Sequence, residues 1–175
     1  MKEKESADIS PVNFHCIDAI EVSLCIERQG LVFYEKAAKS VGNPDVKKMF
    51  ARLAEEEKEH IQSLQAKARF LQPALVKKTS SRKHVDEFIA GQLQGRVFPD
   101  AKAWDASGGA GISSDIEALD LGIQSEKRSI EVLQELLAQE KKIDVRVIFS
   151  HLLVEEKKHL AALEELRGTF SAGKN

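Results

Sequence analysis

The chain's 175 residues are enough for one domain with a continuous apolar core, with no need of disulfide or metal staples to fold. Its 26 basic and 28 acidic residues are interspersed and leave a net charge of −2, so neither nucleic acid nor an anionic membrane is an expected partner. The charged start, Met1 to Asn13, lacks an apolar h-region and no run of about 18 apolar residues occurs, so no secretory signal or membrane span is expected and a soluble, cytoplasmic protein is.

From Phe14 to Val41, Ile17, Ile20, Leu24, Leu31, Val32 and Phe33 recur at steps of three and four, the period of an amphipathic helix. Gly42 offers a stop, and Asn43 and Pro44 supply an N-cap and a first-turn proline. A second helical pattern follows to about Leu71 through Val46, Met49, Phe50, Leu53, Ile61 and Leu64, and so short a turn makes the two helices pack antiparallel. Residues 72–113 change texture, with Pro73, Pro99, several Gly and Ser, and a basic patch from Lys77 to Lys83. One short periodic piece near Val85 to Leu93 makes this segment a crossover connection carrying a small helix. Ser114 with Glu117 forms a capping box that opens a third helix to about Lys142, and Asp144 caps a fourth reaching about Leu166. Loose flanks at 1–13 and 168–175 around a bundle of residues 14–167 are expected.

Cys16 and Cys25 lie nine residues apart on the first helix and point in different directions, so they read as free thiols of a reducing compartment. No Cys-x-x-Cys pair occurs, which rules out a rubredoxin-type iron site or zinc ribbon within these residues.

Shifting the sequence by 99 residues lays the second helix pair on the first without a gap. Ala19, Glu27, Asp45, Val46, Phe50, Leu53, Glu56, Glu57, Lys58, His60 and Leu64 fall on Ala118, Glu126, Asp144, Val145, Phe149, Leu152, Glu155, Glu156, Lys157, His159 and Leu163. Apolar matches would recur in any two helical hairpins. A carboxylate inside an apolar stripe is costly to bury, and its recurrence at the same place in both halves points to a purpose.

Glu57 and His60, like Glu156 and His159, are three apart and leave one helix face together. Glu27 lies about fifteen residues before the first turn and Glu57 about fourteen after it, so at ~1.5 Å per residue both stand ~21 to 23 Å from the turn, level across the hairpin. Glu126 and Glu156 repeat this, and a pseudo-two-fold packing of the hairpins brings all six groups together in mid-bundle. Four buried carboxylates without a counter-charge would repel one another or take up protons; two divalent cations cancel them. Carboxylate oxygen with one imidazole per metal and no thiolate favours iron or manganese over copper or structural zinc, although zinc can occupy such sites. One Glu from each of two helices plus Glu-x-x-His from each of the others is the di-iron or di-manganese carboxylate arrangement of ferritin-like bundles.

The segments Ile26-Glu27-Arg28-Gln29-Gly30-Leu31-Val32-Phe33-Tyr34 and Ala54-Glu55-Glu56-Glu57-Lys58-Glu59-His60 resemble the first and second ligand helices of the rubrerythrin family, and the resemblance extends over roughly Ile17 to Leu166. It implies an all-α, ferritin-like four-helix bundle of two repeated hairpins holding two irons on Glu27, Glu57, His60, Glu126, Glu156 and His159, with Glu57 and Glu156 bridging. It further implies that Glu56 and Glu155 accept hydrogen bonds from the opposite histidines, and that Tyr34 hydrogen-bonds a ligand carboxylate. Two departures stand out. Rubrerythrins typically carry a C-terminal rubredoxin domain, which this chain lacks, so electrons are expected from a separate redox protein such as a rubredoxin. They also carry another glutamate three residues after the third-helix ligand, where this sequence has Ser129, a departure that bears on peroxidase chemistry.

The function expected is that of a di-iron oxidoreductase reacting with hydrogen peroxide or dioxygen, with a homodimer the expected assembly. Two alternatives use the same residues: a ferroxidase or iron-handling protein, and a helical interaction module with a vestigial site. His15, His84 and His151 have no repeat partners among the ligands and read as surface or cap residues, and the Lys77 to Lys83 patch as a solvated loop.

Overall fold

The computed structural model describes residues 14–75, 82–99 and 114–172. Five helices occupy them: α1 (Cys16–Ser40), α2 (Pro44–Leu75), α3 (Arg82–Phe88, continued by a π-helical turn over Ile89–Leu93), α4 (Asp115–Gln139) and α5 (Ile143–Ala172). The expected flank 1–13, most of the basic patch at 77–83, and residues 100–113 and 173–175 lie outside the described residues.

α1 pairs with α2 and α4 with α5, and the two hairpins meet chiefly where α1 lies on α5. Asn43 caps α2, its Oδ1 accepting from the backbone N–H of Asp45 (2.9 Å) and Val46 (3.2 Å). Ser114 Oγ does the same for Glu117 N–H at the start of α4. At the fourth helix Asp144 sits inside the first turn, where its Oδ1 accepts from Val145 N–H (3.0 Å), while Glu140 Oε1 accepts from the N–H groups of Lys141 and Lys142 just before the helix. The repeat explains this, because the counterpart of Asn43 is Lys142, whose ammonium cannot accept a hydrogen bond.

Both long second helices overrun the ends expected for them. α2 continues through Pro73 to Leu75, and α5 through Gly168, which keeps a helical backbone, to Ala172. One proline near a helix end removes a single backbone bond, and one glycine costs ~1 kcal/mol, neither enough to stop a helix of about thirty residues.

Each hairpin's start is fastened to the other hairpin's turn. Asp115, first in α4, accepts from Gly42 N–H (2.8 Å) and Asn43 N–H (3.1 Å). Its repeat counterpart Cys16, first in α1, donates from Sγ to Asp144 Oδ2 (2.8 Å). Burial and that carboxylate push the Cys16 thiol up to about 11, so it stays a donor. The pseudo-two-fold relation of the sequence repeat is thus expressed in the contacts that set the two hairpins against each other.

The core runs through Ala19, Ile26, Phe33, Val46, Phe50 and Leu53 of the first hairpin and Ala118, Leu119, Leu133, Val145, Phe149 and Leu163 of the second. The crossover contributes more than a link. Val85, Phe88, Leu93, Val97 and Phe98 are all buried, and Phe98 packs against Phe33 and Tyr34 at ring-centroid distances of 5.7 and 6.0 Å. Gln29 holds the crossover to α1: its Oε1 accepts from Gly95 N–H while its Nε2 donates to Cys25 O. Gly95 has φ 72°, the left-handed conformation that favours glycine, where the π-helical turn closes.

Candidate metal centre

The four long helices each bring one carboxylate to mid-bundle, and α2 and α5 add an imidazole one turn on. Glu27, Glu57, Glu126 and Glu156 are essentially inaccessible, and so is His159. Two overlapping groups result: Glu57, Glu126, Glu156 and His159 offer ligand atoms within 4.8 Å of one another, as do Glu27, Glu57 and His60. Glu57 belongs to both. The imidazole rings of His60 and His159 lie nearly parallel, 5.8 Å apart.

His60 presents Nδ1 to Glu27 Oε2 at 3.2 Å. His159 presents Nδ1 to Glu57 Oε1 at 3.4 Å, Glu126 Oε1 at 3.6 Å and Glu156 Oε2 at 3.9 Å. Each imidazole turns its other nitrogen toward the opposite hairpin, His159 Nε2 to Glu56 Oε2 at 3.3 Å and His60 Nε2 to Glu155 Oε2 at 3.9 Å. All eight residues named from the sequence are therefore gathered at one place, with Glu56 and Glu155 on the far side of the rings from the carboxylates. Tyr34, wholly buried, donates its hydroxyl to Glu126 Oε1. Burial first, then the charge of Glu126, holds the Tyr34 phenol far above its ordinary value, so it remains a donor.

The electrostatics show what the arrangement lacks. Burial, then a hydrogen bond and charge repulsion from Glu27, push the Glu57 carboxyl well above the carboxylate range. Burial and Glu126 do the same to Glu156. His60 is raised by the Glu27 carboxylate beside it. Without a cation the cluster retains protons. Glu27 Oε2, Glu57 Oε2, Glu126 Oε2, Glu156 Oε2 and the Nδ1 atoms of both histidines are buried without hydrogen-bond partners. Buried polar atoms normally find partners, and here six unsatisfied ones converge. The residues fit a pair of divalent cations: hard oxygen donors outnumber nitrogen, thiolate is absent, and the unsatisfied lone pairs face inward.

Several neighbours of the centre carried little sequence signal. A Cβ on Gly30 would stand 2.8 Å from Glu57 Oε1, so the missing side chain makes room for the shared carboxylate. Ser129, the repeat counterpart of Gly30, is buried as well. Phe98 closes the wall beside Gly30. A cavity of about 30 Å³ reaches Glu27 and His60 from the surface, lined by Ser63, Leu64 and Lys67 of α2 and Ile148, His151 and Leu152 of α5. His151 thus lines the way in, and His15 N–H is accepted by Asp18 Oδ2 at the start of α1. Cys25 is half-buried, donated to by Gln29 Nε2, and belongs to an outer cleft with Arg28 and Asp86, away from the carboxylates.

Four helices presenting four glutamates and two histidines inward form the carboxylate arrangement of ferritin-like bundles, which could hold metal. The chain belongs to the Rubrerythrin family, whose sequence model matches residues 18–167. No curated protein matches the chain closely enough to count as a relative. Among solved structures it is similar to a two-domain protein from Anabaena variabilis containing DJ-1/ThiJ/PfpI-like and ferritin-like domains, at 19% identity and a TM-score of 0.63. That match covers 88% of this chain and 39% of the other, and it shows the ferritin-like fold. Among the described residues no helix is long and apolar enough to cross a membrane.

Proposed function

We propose that this protein is a di-iron carboxylate oxidoreductase that reduces hydrogen peroxide or dioxygen, with electrons supplied by a separate redox protein such as a rubredoxin. The observation that carries the reading is the set of six buried, unpartnered donor atoms on Glu27, Glu57, His60, Glu126, Glu156 and His159. When bound there, two irons supply two one-electron changes, the number needed to reduce one peroxide to two water molecules. Manganese or zinc satisfies the same donors, and zinc would give a structural site without redox chemistry.

This chain's residues set the surroundings. Glu56 and Glu155 stand opposite the outer imidazole nitrogens at 3.3 and 3.9 Å, and their charge favours the orientation with Nδ1 facing inward. Tyr34 keeps Glu126 oriented through its hydroxyl. Phe33, Phe50 and Phe98 around Tyr34 exclude water from that side. The opening at His60 is about the volume of one water molecule, which suits dioxygen or peroxide.

The test is peroxide consumption by anaerobically iron-loaded protein supplied with a reduced rubredoxin. Turnover that Glu57→Ala abolishes supports the reading. Absence of turnover, with many ferrous ions oxidised per chain in a large multi-subunit shell, would replace it with iron handling.

A further inference from the structure

The two halves of the centre match in sequence yet differ in their access to solvent. The group formed by Glu57, Glu126, Glu156 and His159 is closed: His159 is 2% exposed and the three carboxylates no more than 1%. Tyr34 covers Glu126 and stands edge-on to the His159 ring at 6.5 Å. Its repeat counterpart is Leu133, which has no hydroxyl to give. The group formed by Glu27, Glu57 and His60 is open on one side, with the His60 side chain 21% exposed. The small cavity beside it leads from buried Glu27 past half-buried His60 to exposed Ser63, Lys67 and His151.

We propose that the two metal positions are unequal: the Glu27, Glu57 and His60 position exchanges its ion with solvent through the passage between Ser63 and His151, while the other is filled and emptied only by way of it. Glu57 is the relay, since it belongs to both groups, and the two imidazole rings are only 5.8 Å apart. An ion at the outer position needs to shed only the ligands of a half-open site. An ion at the inner position must shed four buried groups and then leave through the outer position. This rests on the metal-centre reading above and adds a direction to it. The passage is also the route by which a small oxidant meets the outer position first.

The full chain, loaded anaerobically with two equivalents of ferrous ion, is mixed with excess of a chelator whose iron complex is coloured, and release is followed by absorbance. The expected trace has two phases of equal size, with rates about ten- to hundredfold apart, the range by which groups around metal ligands alter affinity. Ser63→Trp should slow the fast phase, and His151→Trp, on the opposite wall, should do the same. Both side chains are exposed, so unchanged thermal unfolding of the metal-free variants confirms that the fold is kept. Release of both ions in one phase, or a fast phase that neither variant alters, overturns the proposal while leaving the metal centre standing. Failure to take up any metal overturns both.

Discussion

Replacing Gly30 with alanine adds one methyl group to the wall of the metal centre. Its Cβ would stand 2.8 Å from Glu57 Oε1, 3.1 Å from Glu57 Cδ and 3.2 Å from Phe98 Cζ. Phe98 is backed by the Phe33 and Tyr34 rings, so the carboxylate is the group that must retreat, by roughly half an ångström to reach ordinary contact. Two effects on metal-free stability oppose each other. Alanine is better in a helix by ~1 kcal/mol, while overpacking a filled interior costs ~1–3 kcal/mol. The metal-free variant should therefore unfold between unchanged and ~2 kcal/mol less stable. Metal binding should suffer more, because the displaced carboxylate is the one shared by both groups. Loss of ligand orientation weakens binding ~10–100-fold, or ~1.4–2.8 kcal/mol. Competition against a chromophoric chelator measures this, and urea unfolding of the metal-free protein measures the rest. Gly168→Ala is the control: nothing lies within 4 Å of its added Cβ, and it should gain up to ~1 kcal/mol with metal binding unchanged. A Gly30→Ala protein that binds both metals with parent affinity would refute the assignment of Glu57 as the shared ligand.

Tyr34→Phe removes the donor to buried Glu126 and should lower metal affinity about tenfold, read by the same competition, with thermal unfolding still a single transition. Asp115→Ala frees the Gly42 and Asn43 N–H groups that join the two hairpins and should cost ~1–2 kcal/mol in urea unfolding, with little effect on metal binding. The metal-free protein should lose stability as pH rises. Glu57 and Glu156 have folded values well above their unfolded ones, and His60 is also raised, so their contribution is full below the ordinary values and disappears as pH climbs through the raised ones. Divalent metal should reverse that slope above the carboxylate range, because it displaces the retained protons. Melting temperatures across pH with and without metal test this, and parallel curves would count against it.

Much of the architecture was legible because it rests on spacing. Glu27 and Glu57 are level because their distances from the Gly42 turn are equal, and the 99-residue shift carries the same register to Glu126 and Glu156. Tyr34 and the acids Glu56 and Glu155 came from resemblance to a known pattern, since neither period nor spacing reports which atom a side chain faces. Local chemistry that breaks the repeat was harder to read. At the fourth helix Lys142 stands where Asn43 caps the second, so Asp144 reaches Val145 N–H from inside the first turn and Glu140 takes the N–H groups before it. Phe98 gave no warning of its place beside Gly30, because residues of a crossover have no periodicity to say which face turns inward. The closed and open sides of the centre were likewise invisible, since they depend on which of two matched histidines the packing leaves exposed.

The central claim is that the six converging side chains bind two metal ions, and elemental analysis tests it most directly. Protein purified anaerobically, loaded with excess ferrous ion and freed of loose metal, should hold two irons per chain, with His60→Ala and Glu57→Ala each holding at least one fewer. A chain that retains no metal after loading with ferrous, manganous or zinc ion would contradict the claim and leave the buried carboxylates as a protonated relic inside a helical bundle.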